Sequence, residues 1–303
     1  MRALVSVALL AAACGLSRDA SAYCRSTTSR QRATALGECV RSGIPLGWRA
    51  RCTGFSLYRA GLPAEVTTAV LDRMARTATT AWARVPCDQD GLGRQYFQVL
   101  PVDQTWQPSG YDAQGQNANT VLFRHTWNDN AIHRPGAIAI TIATFDSFTG
   151  EIFDADIELN THDEATNRDG FRFSTAASVS DPGAADLQTI LTHEFGHFMG
   201  LSHSDNDRAV MWPEAGLGEI RRDLTADDAA GMCAIYPEEN TPNARCIPVP
   251  YGGLATQQGG TLVTPGECRA APHGRTRALL VAPWFLAVFV ALRRRERGAT
   301  RAP

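Results

Sequence analysis

Charge imbalance is the first thing the sequence lacks: 29 Lys and Arg stand against 31 Asp and Glu, a formal net charge of −2 with a pI near 6.4. Without a strong field of one sign, no nucleic-acid partner is expected. None of the eight cysteines forms a C-x-x-C pair, which argues against a thioredoxin-like redox site or a zinc ribbon. No internal repeat is evident, and histidine is scarce at seven residues. Apolar runs stop short of the ~20 residues that span a bilayer. What is present is enough apolar material for a packed core: 44% apolar residues over 303, with 12 Phe and 6 Trp.

Both ends are unusual. The chain opens "MRALVSVALLAAACGLSRDASAYC", with Arg2, an apolar run from Ala3 to Ala13, and "ASA" before Tyr23. Those are the parts of a secretory signal peptide, and residues 1–22 are expected to be cleaved after Ala22. Lipidation at Cys14 is the alternative, because "AAAC" resembles a bacterial lipobox. Removing Cys14 with that segment leaves seven of the eight cysteines, which an oxidising compartment would pair as disulfides with one left over. At the other end, "ALLVAPWFLAVFVAL" (278–292) runs directly into "RRRER". At ~1.5 Å per residue this run reaches roughly 22 Å as a helix, short of the ~30 Å hydrocarbon core unless the bilayer thins or flanking residues snorkel. The tail resembles the tripartite sorting signals of Gram-negative bacteria, among which myxobacterial surface proteins carry a Gly-Cys motif. Here Cys268 stands in the corresponding region but follows Glu267. The resemblance implies membrane or cell-surface anchoring, with Cys268 the unpaired cysteine.

Between the ends, residues 23–50 form a cysteine-containing segment, 51–238 the main domain, 239–272 a Gly/Pro-rich linker and 273–303 the tail. Strands are expected at 54–60, 94–102 and 119–125, with two more in 136–160 joined by a "DSFTG" turn, and "GFRFST" (170–175) is either a strand or a loop. A four-residue step through Val66, Val70, Met74, Ala78 and Trp82 predicts an amphipathic helix over 62–85. Apolar positions at 187, 190, 191, 195, 198 and 201 predict a second helix. "LTADDAAGMCAIYP" (224–237) predicts a third, N-capped by Thr225 with Asp227 and Asp228 in its first turn and stopped by Pro237.

Three of the seven histidines fall in "LTHEFGHFMGLSHS" (191–204). His193 and His197 are four apart, so a helix presents both to one ion. Glu194 lies one position round the helix, near enough to reach a water beside the ion without occupying a ligand position. Gly200 permits the helix to end and the chain to turn back, which returns His203 as a third ligand. Met211 follows eight residues after His203.

This HExxHxxGxxH pattern with a following methionine resembles the metzincin metalloproteases, whose zinc motif is followed by a Met-containing turn beneath the metal. Within them the chain is most similar to the matrixins, on "HSDNDRAVMWP", "LTADDAAGMCAIYP" and the long first helix ending "TAWARV". The resemblance covers roughly residues 48–238. It implies an α+β, α/β-like metzincin fold: a twisted, mostly parallel sheet with one antiparallel edge strand, an active-site helix and a C-terminal helix. Trp212 stands where the astacin branch has a metal-approaching tyrosine, so tyrosine assistance is not implied. "ARCTG" at Cys52 and "VPCDQ" at Cys87 are poor matches to a matrixin cysteine switch and read better as disulfide halves. The second, structural zinc site of matrixins is not reproduced: Asp156 in "IFDADIELN" takes the place of a histidine. The acidic alternation of Asp154 and Asp156 reads first as one solvated strand face, and calcium held by their hard oxygens is the second reading. His125, His133, His162 and His273 have no partner at ligand spacing and are taken as structural or surface residues.

The expected function is therefore that of an exported zinc endopeptidase acting on protein or peptide, monomeric, and secreted or held on the outer surface of a Gram-negative bacterium. Zn2+ bound by His193, His197 and His203 supplies a Lewis acid, and Glu194 relays a proton from water to the leaving amine. The alternatives are a non-catalytic zinc-binding adhesion protein on the same fold and a zinc hydrolase of non-peptide amides.

Overall fold

The structure, a computed structural model, describes residues 22–29, 31, 38–50, 52–87, 96–99, 109–111, 117–127, 133, 136–161, 170–176 and 181–237. Five strands make one sheet: β2 (Cys52–Leu57), β3 (Tyr96–Val99), β4 (Thr120–Arg124), β5 (Ala139–Phe145) and β6 (Ile152–Asn160). Their order is β3-β2-β4-β6-β5, every neighbouring pair parallel except β5 with β6. The expected mostly parallel sheet with an antiparallel edge is thus what the chain forms. Short pairs complete it: β1 (Cys24–Arg25) with β9 (Leu201–Ser202), and β7 (Phe173–Ser174) with β8 (Ala185–Asp186).

Two helices cover one face of the sheet. Helix α1 (Thr68–Ala83) starts six residues later than the 62–85 span, because the Thr67 side chain caps it by accepting from the Val70 amide. Its buried stripe is Leu71, Met74, Ala75, Ala78, Thr79 and Trp82, so Val66 and Val70 lie outside the regular face. Helix α2 (Leu187–Phe198) is buried along nearly its whole length, with Phe195 and Phe198 against Phe55 of β2. The Trp82 indole N–H donates to the Thr192 carbonyl at 2.8 Å and ties the two helices together. Helix α3 (Ala226–Ile235) begins at Thr225, as its capping pattern predicts.

Strand β6 is buried on both faces. Ala155, Ile157 and Leu159 belong to the hydrophobic core, and alternation puts Asp154, Asp156 and Glu158 on the opposite face. Here the solvated-face expectation is wrong: Asp154 is 2% exposed and Asp156 1%. Chain segments distant in sequence lie over this acidic row. Glu158 takes two hydrogen bonds from Arg124 (2.6 and 2.7 Å) and one from His133 (2.6 Å). Asp156 accepts the amides of Gly110 (2.7 Å) and Thr120 (2.8 Å).

Cysteines whose surroundings are described are all oxidised. Cys24 pairs with Cys39 and Cys87 with Cys233, and Cys52 is also disulfide-bonded. Cys52 and Cys87 are therefore half-cystines, as their poor switch motifs suggest. Among the described residues no helix is long and apolar enough to cross a membrane; the linker, the tail and all of the expected signal peptide except Ala22 lie outside those residues.

Candidate metal centre

Helix α2 is placed by its ends. At its start the Asp186 carboxylate accepts the Thr189 amide at 2.8 Å and is paired with Arg222. Those bonds hold Asp186 below its ordinary carboxylate range despite its burial. At the other end Met199 caps the helix, and Gly200 follows with φ +100°. A side chain there would be strained, and its Cβ would come within 2.6 Å of the Leu46 carbonyl oxygen. The reversal at Gly200 lets Leu201–Ser202 pair with Cys24–Arg25 and brings His203 back over the helix. The cysteine-containing N-terminal segment thus helps to fix the third histidine.

His193, His197 and His203 converge, with ligand atoms all within 4.8 Å of one another. The His193 Nδ1 lies 2.7 Å from the Val210 carbonyl and the His197 Nδ1 lies 2.9 Å from the Leu201 carbonyl. A carbonyl only accepts, so each Nδ1 carries its proton and each Nε2 offers a lone pair. The His197 and His203 Nε2 atoms face each other at 3.2 Å. Two nitrogens each ~2.05 Å from a tetrahedral ion stand about 3.3 Å apart, so the spacing fits zinc. Burial, with the neighbouring histidine charge, pushes the His193 pKa down to about 3 and that of His203 to about 2. Both rings are therefore neutral near pH 7, the form a metal ligand needs.

Glu194 is 5% exposed. Its Oε2 accepts a hydrogen bond from the Thr141 hydroxyl of β5 at 2.6 Å. Burial pushes its carboxyl up, while His197 and the Thr141 bond oppose that shift. Met211 packs beneath the motif. A Cβ at Gly196 would meet the Met211 Sδ at 2.2 Å, so this position of the helix must be glycine for the methionine to fit. Asp228 pins the methionine turn by accepting the Val210 amide (2.9 Å) and the Met211 amide (3.0 Å), and the Ser204 amide donates to the Met211 carbonyl at 2.9 Å.

All six residues read from the motif (His193, Glu194, His197, Gly200, His203 and Met211) come together here. Asp154 and Asp156 do not join them: they lie on the far face of β6. Among the described residues the three histidines are the one convergent group of three or more His, Cys, Asp or Glu ligand atoms. Calcium at Asp154 and Asp156 gains no support, since both Asp156 oxygens already accept backbone amides. His133 is structural, buried against Glu158 and Trp127, while His162 and His273 lie outside the described residues. Two contributors escaped sequence reasoning. Thr141 is one. Asp228, which the sequence places only in a first turn, is the other, although the T-x-x-D capping box offered a signal.

Comparison with known proteins agrees with this geometry. Residues 113–237 match the matrixin family model. Metalloendoproteinase 1-MMP of Arabidopsis thaliana is 45% identical over 53 residues, 18% of this chain and 15% of that protein. Stromelysin-2 of Rattus norvegicus is 33% identical over 73 residues, covering 23% and 15%. Macrophage metalloelastase of Oryctolagus cuniculus is 37% identical over 60 residues, covering 19% and 13%. The chain thus spans a small part of the length of these relatives. Its fold reaches beyond the matched region, because β2, α1 and β3 complete the same sheet and core. With its helix, three-histidine centre and methionine turn in place, the chain carries a matrixin-like metzincin domain.

Proposed function

We propose that the protein is an exported zinc endopeptidase in which Glu194 is the general base. The observation that carries this reading is a buried carboxylate set beside three converging imidazoles. Zinc held by His193, His197 and His203 would supply a Lewis acid that acidifies water and polarises the scissile carbonyl. Glu194 takes a proton from the attacking water and passes it to the leaving amine. The Val210 and Leu201 carbonyls fix the tautomers of His193 and His197, and Met211 supports the helix from below. A non-catalytic adhesion protein would leave Glu194 without a task. The names of the relatives, metalloendoproteinase and metalloelastase, favour peptide over other amides. Casein digestion by the purified protein, with and without a zinc chelator, tests the reading. Chelator-sensitive cleavage is expected, and intact casein in the presence of full zinc would overturn it.

Export is part of the proposal. Oxidation of Cys24, Cys39, Cys52, Cys87 and Cys233 suits an oxidising compartment. The Tyr23 amide donates to Asp227 of α3 at 2.7 Å, so a cut after Ala22 would set a new ammonium against that carboxylate. Outer-surface retention through the 273–303 tail completes the proposal. N-terminal sequencing of the exported protein checks the cut: Tyr23 is expected as the first residue, and a lipid-modified Cys14 would contradict it.

A further inference from the structure

We propose that Thr141 is a positioning residue for peptide hydrolysis: its hydroxyl locks one oxygen of Glu194 and leaves the other to handle the proton. The inference rests on the reading of Glu194 as general base. It starts from an anomaly in β5. Antiparallel pairing sets Ala139, Thr141 and Ala143 opposite Leu159, Ile157 and Ala155, which are core residues. Thr141 is thus a hydroxyl in an otherwise apolar row facing α2. Valine has the same shape and equal or better strand preference, so what threonine adds here is the oxygen.

That oxygen has two acceptors in reach, both on Glu194: the carboxylate Oε2 at 2.6 Å and the main-chain carbonyl at 3.1 Å. One hydroxyl proton goes to the shorter, charged acceptor, where the bond is stronger. Branching at Cβ limits the side chain to few rotamers, so the donor itself is held. With Oε2 anchored to the sheet, the carboxylate cannot swing freely about its last torsion. No hydrogen bond to Oε1 occurs among the described residues, and this is the oxygen left for water and the leaving amine. The bond joins two residues that are 53 apart in sequence, one on β5 and one on α2. It places the edge strand in direct contact with the base.

The test compares Thr141→Val and Thr141→Ser in the full chain, with a quenched fluorogenic peptide taken from a casein cleavage site. Positioning governs the chemical step more than substrate affinity, so Thr141→Val should lose roughly tenfold or more in kcat with KM within about twofold. Thr141→Ser keeps the hydroxyl and should recover kcat to within about threefold. Zinc content by mass spectrometry and Tm should stay at the parent values in both. In a Glu194→Gln background, Thr141→Val should cost nothing further. Unchanged kcat in Thr141→Val, alongside an inactive Glu194→Gln, would overturn the positioning role and leave the base intact. Full activity in Glu194→Gln would instead overturn the base. A loss of kcat accompanied by lost zinc or a lowered Tm also counts against positioning. If the valine variant does not fold, Thr141→Ser against Thr141→Ala isolates the hydroxyl, and equal kcat in that pair refutes the proposal.

Discussion

Two clusters of ionisable side chains lie in different parts of this domain, one buried and one half-buried, and only the second is built for chemistry. On the far face of β6, Asp154, Asp156 and Glu158 form a row in which Glu158 and Asp156 are met by Arg124, His133 and two backbone amides. On α2, His193, His197 and His203 turn their lone pairs toward a common point. The acidic row is fully buried and the three histidines are half-buried, so depth of burial does not mark the site. The difference is direction: Asp156 and Glu158 turn their oxygens to partners within the protein, whereas the histidines keep their Nε2 lone pairs for a ligand.

That contrast can be broken one group at a time. His203→Ala should weaken zinc binding by about a hundredfold or more and abolish cleavage while Tm of the metal-free protein changes little. Dialysis followed by metal analysis measures it, and a variant that still holds stoichiometric zinc removes His203 from the ligand set. Glu158→Gln should do the reverse. It strips the partner from Arg124 and His133 inside the protein and should lower stability by roughly 3 kcal/mol, with kcat unchanged in the folded fraction. Denaturant titration with parallel activity assays reads both numbers.

The smallest expected effect concerns pH and runs with opposite signs along the same row. Glu158 is held down to about 2 against its ordinary 4.5, the Arg124 and His133 bonds outweighing its burial. Its folded pKa lies below the unfolded one, so its contribution is present above pH ~4.5 and fades as pH falls toward 2. Asp154 is pushed up to about 7 from 3.8 by burial, and among the described residues its Oδ1 has no hydrogen-bond partner. Its folded pKa lies above the unfolded one, so stability linked to it is complete below pH ~3.8 and declines as pH rises through 7. Asp154→Asn should therefore raise Tm at pH 8 and leave it nearly unchanged at pH 4. Equal shifts at both pH values would show that Asp154 does not titrate as its burial implies.

Much of this was legible from sequence, for a physical reason. His193, Glu194, His197, Gly200, His203 and Met211 lie on one helix and the two turns that follow, where helical period and turn chemistry alone bring side chains together. The parallel sheet and its antiparallel edge were legible through the family resemblance. Positions that depend on distant partners were not. An alternating acidic strand reads the same whether its polar face meets water or an arginine from another strand, which is why Asp154 and Asp156 look solvated in sequence. Thr141 looks like an ordinary strand residue until β5 is laid against α2. The Val210 and Leu201 carbonyls that orient the histidines are backbone atoms with no signature in residue type. Helix α1 was placed too early because Val66 continues the apolar step, whereas the Thr67 cap decides where the helix begins.

The most direct test of the central claim is Glu194→Ala, measured for zinc content and casein cleavage on the same sample. The ligands are untouched and only the proton carrier is removed, so zinc should remain stoichiometric while cleavage falls by about 10²–10⁴-fold. A variant that keeps its zinc and cleaves at the parent rate would contradict the account.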